Sequence, residues 1–226
     1  MIKSKITKEE VNLMPLVIFP GEITIVDELS KVDSAIEELR KNKVVGIDTE
    51  TKPSFTRGSH NKVSLVQLSN LEHCFLFRLN LIDLPTALAN FLADKNILKI
   101  GLSLRDDLTG LNKRHSFKPD GFIDIQSIAQ SYGILELSLQ KIYAILFDKK
   151  ISKSQRLTNW ENIELTDQQQ RYAATDAWAS LKIYLQLLSE KQISKKELKK
   201  ILDDNALELK ERQALNNAQA TAQFNP

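Results

Sequence analysis

The apolar periodicity of this chain changes once between Val44 and Gln126, and that change restricts topology more than any other feature. Up to Leu79 the pattern has a period of two. "VVGIDTE" (44–50), "KVSLVQLS" (62–69) and "HCFLFRL" (73–79) are strand-like runs; in the second, Val63, Leu65 and Gln67 alternate with Ser64, Val66 and Leu68. The turn-like "NLE" between the last two predicts an antiparallel meander. From Leu84 the pattern alternates between helical and strand-like. "LPTALANFLAD" and "LRDDLTGLNKR" have helical spacing, while "NILKIG" and "GFIDIQ" are short apolar strands. Strands separated by helices pair in parallel. Three meandering strands followed by two helix–strand units therefore predict an α/β fold with a mixed five-stranded sheet and helices on both faces.

The flanking segments are helical. "LSKVDSAIEELRKNK" places Val32, Ile36 and Leu39 on one face ahead of the first strand, and "LSLQKIYAILF" and a run from Thr166 to Glu190 follow the last one. "SKKELKKILDDNALELKER" carries Leu198, Ile201, Leu202 and Leu209 on a stripe, predicting a helix packed on the domain as an appendage. "FPGEI" (19–23) is a turn signal closing an N-terminal extension, residues 1–26. The last fourteen residues, 213–226, lack charged side chains and are poor in apolar ones, so they are expected to be disordered.

Composition narrows the function classes only weakly. With 226 residues, 42% hydrophobic and 27% charged, the chain can bury a core; its formal net charge of +2 gives no global field to attract nucleic acid. Any such binding has to use local basic patches. The one cysteine, Cys74, lies in the apolar "CFLF" and reads as an inert buried thiol. The first residues have no signal-peptide pattern and no apolar run reaches 18 residues, so a cytoplasmic protein without membrane contact is expected.

Against that ordinary background three acidic motifs stand out. Asp48 and Glu50 are two apart at the C-terminal end of the first strand and so share a face. Two like charges so placed need solvent, a basic partner or a hard divalent cation. In "IGLSLRDDLTGL", Asp107 shares a helical face with Leu111, a residue that seeks the core, whereas Asp106 shares its face with Gly110. In "RYAATDAWASLKIY", Tyr172 and Asp176 are one turn apart on an Ala-rich helix able to approach the sheet closely. Taken singly, each motif also reads as solvated acids or a helix-dipole complement.

In this order, with "DTETKPSFTRG", "LSLQKIYAILF" and "LTNWENIELTDQQQRYAATDAWASLKIY" around them, the motifs resemble the DEDD 3′–5′ exonucleases with tyrosine in the last motif. Within that superfamily the chain is similar to the ribonuclease D and Werner-type exonuclease domains. The resemblance spans residues 27–190 and implies a ribonuclease H-like three-layer fold. It implies metal-ligand roles for Asp48, Glu50, Asp107 and Asp176, with two Mg²⁺ or Mn²⁺ ions as cofactors, and a water-orienting role for Tyr172. DNA or RNA 3′ ends are the implied partners and nucleoside 5′-monophosphates the product. About 36 residues follow Glu190, and neither a helicase segment nor the C-terminal helical domain of ribonuclease D is recognisable, which leaves substrate choice open. A silent nucleic-acid-binding or scaffold protein on the same fold is the rival reading.

Substrate grip should come from phosphate contacts and base stacking. The candidates are Phe55, Arg57 and His60 in "PSFTRGSHNK", and Lys149, Lys150, Lys153 and Arg156 in "DKKISKSQR".

Overall fold

The computed structural model describes residues 2–54 and 61–223. In chain order the elements are α1 (Lys8–Leu13), β1 (Leu16–Val17), β2 (Glu22–Val26), α2 (Val32–Arg40), β3 (Val44–Thr51), β4 (Val63–Ser69) and β5 (His73–Phe77). There follow α3 (Leu79–Ile82), α4 (Thr86–Leu92), β6 (Leu98–Gly101), α5 (Leu104–Arg114), β7 (Phe122–Asp124) and α6 (Ile125–Ala129). The last are α7 (Leu139–Phe147), β8 (Lys150–Ile151), α8 (Asp167–Ser189) and α9 (Lys195–Gln223). Among the described residues no helix is long and apolar enough to cross a membrane.

The meander β3–β4–β5 is antiparallel, and β6 and β7 add in parallel on the free side of β3, as the periodicity predicts. Among the described residues the sheet has six strands, however, not five: its order is β2-β5-β4-β3-β6-β7, with β2 parallel to β5. The extra strand comes from "EITIV", inside the stretch read as an N-terminal extension. At the sheet edge only Val26 is fully buried, so the apolar signal is short. Gly21 admits it, because a β-carbon there would fall 2.1 Å from the Glu72 carbonyl oxygen. The Glu22 amide donates to that same oxygen at 2.8 Å.

A second departure lies in β4. The register against β3 slips between Glu50 and Thr51, which puts Val63 on the opposite face from Leu65. This is the signature of a bulge, in which an extra residue reverses the alternation.

Two cores flank the sheet. On one face α2, α4 and the inner side of α5 pack on Val45, Ile47, Val66 and Leu68. On the other, α6, α7 and α8 pack on Leu65, Cys74, Leu76 and Ile100. Cys74 is fully buried, and burial pushes its thiol pKa up strongly, with the Ser69 hydroxyl pulling the other way.

Helix α8 lies closest to the sheet. It opens with a capping box in which Thr166 and Gln169 satisfy each other's backbone amides, and Ala173, Ala174, Ala177 and Ala179 along it are fully buried. Where it crosses β3 the strand residue is Gly46, and a β-carbon there would meet the Ala177 carbonyl oxygen at 1.9 Å. Small residues on both partners thus bring backbone to backbone. The last helix, α9, docks through its first turns: Ile201 approaches Gly133, and Lys5 donates to Asn205. Its backbone stays helical into the stretch expected to be disordered.

Candidate active site

Three elements converge at the C-terminal end of β3. The strand presents Asp48 and Glu50 toward α8, and α8 presents Tyr172, Asp176 and Ser180 on one stripe of successive turns. Ligand oxygens of Asp48, Glu50 and Asp176 all lie within 4.8 Å of one another. They line a cleft of about 370 Å³ together with Tyr172, Lys153 and Arg156. Leu102, Leu137, Ser138 and Gln140 close its other walls.

The acids strain one another electrostatically. Burial pushes the Asp48 carboxyl well above its usual pKa, and the charges of Asp176 and Asp107 add to the effect. Glu50 is pushed up to about 10, first by burial and then by Asp48, Asp176 and Asp107, with Arg156 opposing. Asp176 reaches about 7 through burial, with the Tyr172 hydroxyl and the Lys153 ammonium pulling the other way. Its Oδ1 is buried without a hydrogen-bond partner among the described residues. An all-oxygen donor set with an unsatisfied buried carboxylate oxygen fits a hard divalent cation.

The fourth acid stands apart. Asp107 is half-buried on the side of α5 facing β3, while Asp106 is exposed, and Leu111 one turn on from Asp107 is fully buried. Helix α5 starts where the sheet directs it: Ser103 is left-handed at φ 59°, and the Asp124 carboxylate accepts from the Leu104 amide at 3.0 Å. Asp107 does not join the three-acid cluster directly. Its Oδ1 accepts a hydrogen bond from the hydroxyl of Thr49, the residue between Asp48 and Glu50.

Of the basic candidates, Lys153 and Arg156 line the cleft, whereas Lys149 and Lys150 do not. Lys150 is pinned elsewhere: its backbone pairs β8 with β1 and its Nζ donates to the Asn12 carbonyl at 2.6 Å. Phe55, Arg57 and His60 lie outside the described residues. Trp160 is fully buried with its ring 6.0 Å from that of Tyr172, a packing role.

The loop carrying Lys153, Arg156 and Trp160 is held from two sides. Arg78, itself buried, donates to the carbonyls of Asn162 and Ile163, the latter at 2.7 Å. Gln169 donates to Thr158 Oγ1 at 3.0 Å. Sequence reasoning missed several participants. Ser180 was legible as the next turn after Asp176. Gln67 pairs across the sheet with Asp48 and is buried with neither amide atom partnered among the described residues, an anomaly that only the strand register reveals.

This is the architecture of a nuclease of the ribonuclease H-like class: a mixed sheet with acids from a central strand and a crossing helix meeting at one cleft. The 3′–5′ exonuclease family profile matches residues 23–192, and the chain belongs to that family. It is 32% identical over 184 residues to the mouse bifunctional 3′–5′ exonuclease/ATP-dependent helicase WRN, covering 77% of this chain and 13% of that protein. Ribonuclease D of Haemophilus influenzae is 30% identical over 185 residues, covering 78% of this chain and 43% of its own length. The chain thus spans less than half of either relative. The crystal structure of Escherichia coli RNase D, an exoribonuclease involved in structured RNA processing, superposes with a TM-score of 0.66 at 25% identity. That match covers 84% of this chain and 50% of the other.

Proposed function

We propose that this protein is a metal-dependent 3′–5′ exonuclease that hydrolyses the terminal phosphodiester of DNA or RNA and releases nucleoside 5′-monophosphates. The observation that carries the reading is the convergence of Asp48, Glu50 and Asp176 within 4.8 Å in a cleft that also holds two cationic side chains. The direction of attack rests on family membership.

Asp48, Glu50 and Asp176 would hold the cations, with Asp107 completing the set from the α5 side. When bound, two divalent cations such as Mg²⁺ or Mn²⁺ would offset the carboxylate charge and polarise the scissile phosphate and the attacking water. Tyr172 supplies a hydrogen-bond donor: burial and the charges of Asp176 and Glu50 raise its pKa, so it keeps its proton at neutral pH and orients the water instead of deprotonating it. Lys153 and Arg156, which line the cleft, would meet the phosphates of the entering strand. Leu102 and Leu137 offer apolar surface for the terminal base.

The decisive experiment uses DNA and RNA oligomers labelled at the 5′ end. A descending ladder in Mg²⁺ or Mn²⁺ that disappears in EDTA is the expected result. Equal cleavage in EDTA, or release of the 5′ label as a mononucleotide without a ladder, rejects the reading.

A further inference from the structure

In a strand, successive side chains point to opposite faces, so the residue between Asp48 and Glu50 cannot join them in the cleft. Thr49 points instead toward α5, and its hydroxyl donates to Oδ1 of Asp107. The bond links residues 58 apart in sequence, across the contact between β3 and α5. It ties the fourth acid to the strand that carries the first two. The bond holds one oxygen of Asp107 and so sets the rotamer in which the carboxylate is offered to a ligand. The β-branched threonine suits this task, since its own χ1 is restricted in a strand.

Asp107 also belongs to the site by position, because the residue it bonds lies between Asp48 and Glu50 on the same strand. The donor set is therefore uneven. Three acids already converge, and the fourth is held beside them by a hydroxyl.

Building on the exonuclease reading, we infer that Thr49 is a positioning residue for the second of two divalent cations: it presents Asp107, while the first cation is held by Asp48, Glu50 and Asp176 without its help. Hydrogen bonds that orient metal ligands are typically worth about 10–100-fold in metal affinity. Thr49→Val keeps the shape and removes the donor; Thr49→Ser keeps the donor.

The test is a Mn²⁺ titration of the chelator-stripped 226-residue chain, with free Mn²⁺ counted by electron paramagnetic resonance. The wild type should bind two ions. Thr49→Val should bind the first within about two-fold of wild-type affinity and the second about 10–100-fold more weakly, and Thr49→Ser should restore the second. Asp107→Asn should reproduce the second-ion loss, and the double variant should be no weaker than Asp107→Asn alone, since both substitutions break one link. Three results overturn the inference: unchanged binding in Thr49→Val, equal weakening of both ions, or a wild type that binds one ion only. If the wild type binds two ions yet leaves every oligomer intact, the exonuclease reading fails while the role of Thr49 stands.

Discussion

Ala177 sits so close above Gly46 that a β-carbon at position 46 would fall 1.9 Å from the Ala177 carbonyl oxygen. The obstacle is backbone, which cannot rotate away, so the strand and helix would have to separate. Gly46→Ala should therefore destabilise the fold by about 3 kcal/mol, at the upper end of overpacking costs. Because Asp176 precedes Ala177, the same displacement should open the acid cluster. Thermal unfolding checks the first effect and Mn²⁺ affinity of the folded fraction the second; an unperturbed variant would mean that α8 is not in contact with β3.

The crowded acids give the metal-free protein an unusual pH response. Asp176 is raised from 3.8 to about 7 and Glu50 from 4.5 to about 10, so between the unfolded and folded values the native state holds protons that the unfolded chain has released. Stability is then greatest below about pH 4 as far as these groups are concerned, and falls as pH rises through neutrality. In EDTA, Asp176→Asn should remove part of that slope and be more stable than wild type at pH 8 by on the order of a few kcal/mol, read as a higher melting temperature. A lower melting temperature for Asp176→Asn at pH 8 would show that the carboxylate is stabilising in the apo protein.

Cation binding should reverse the penalty. Millimolar Mg²⁺ or Mn²⁺ should raise the melting temperature of the wild type, because a ligand that binds only the native state stabilises it by mass action. The Asp48→Ala/Glu50→Ala variant should respond far less. Identical shifts in both proteins would put the binding elsewhere.

Lys153 and Arg156 at the cleft differ in consequence from Lys150, which is tied to Asn12. Lys153→Ala and Arg156→Ala should each raise KM for oligonucleotides and reduce the salt dependence of binding by about one phosphate contact. Lys150→Ala should leave KM within about two-fold, since its ammonium is engaged by a backbone carbonyl. KM measured at several salt concentrations separates the three.

Adjacent acids on α5 give a sharper contrast. Asp107→Asn should lower turnover by at least about two orders of magnitude, equivalent to roughly 3 kcal/mol of transition-state stabilisation, and Asp106→Asn only a few-fold. The reverse ranking, read from rates at saturating Mn²⁺, would assign the role to the exposed acid.

Much of this arrangement was readable from spacing alone. Asp48 with Glu50, and Tyr172 with Asp176, are linked by the geometry of a single strand and a single helix, so their shared faces follow from counting residues. The meander and the parallel strands followed from periodicity for the same reason. Properties that depend on two distant segments were not readable. Nothing in "EITIV" says that it pairs with β5, because an edge strand with one fully buried residue has a faint apolar signal. The Thr49–Asp107 link needs the packing of α5 on β3, and the run of basic residues from 149 to 156 does not announce that Lys150 turns toward Asn12. Composition records charge; only tertiary structure gives it a direction.

The burial of Cys74 has a practical consequence for following substrate entry. It is the single cysteine of the chain, fully enclosed and with a thiol held firmly in its protonated, unreactive form. A cysteine introduced at an exposed site beside the cleft, such as Leu157, would then be the one thiol open to a maleimide dye. The native cysteine would not have to be removed first. The wild type provides its own blank, and a fluorophore one residue from Arg156 would report each arrival of a nucleic-acid strand.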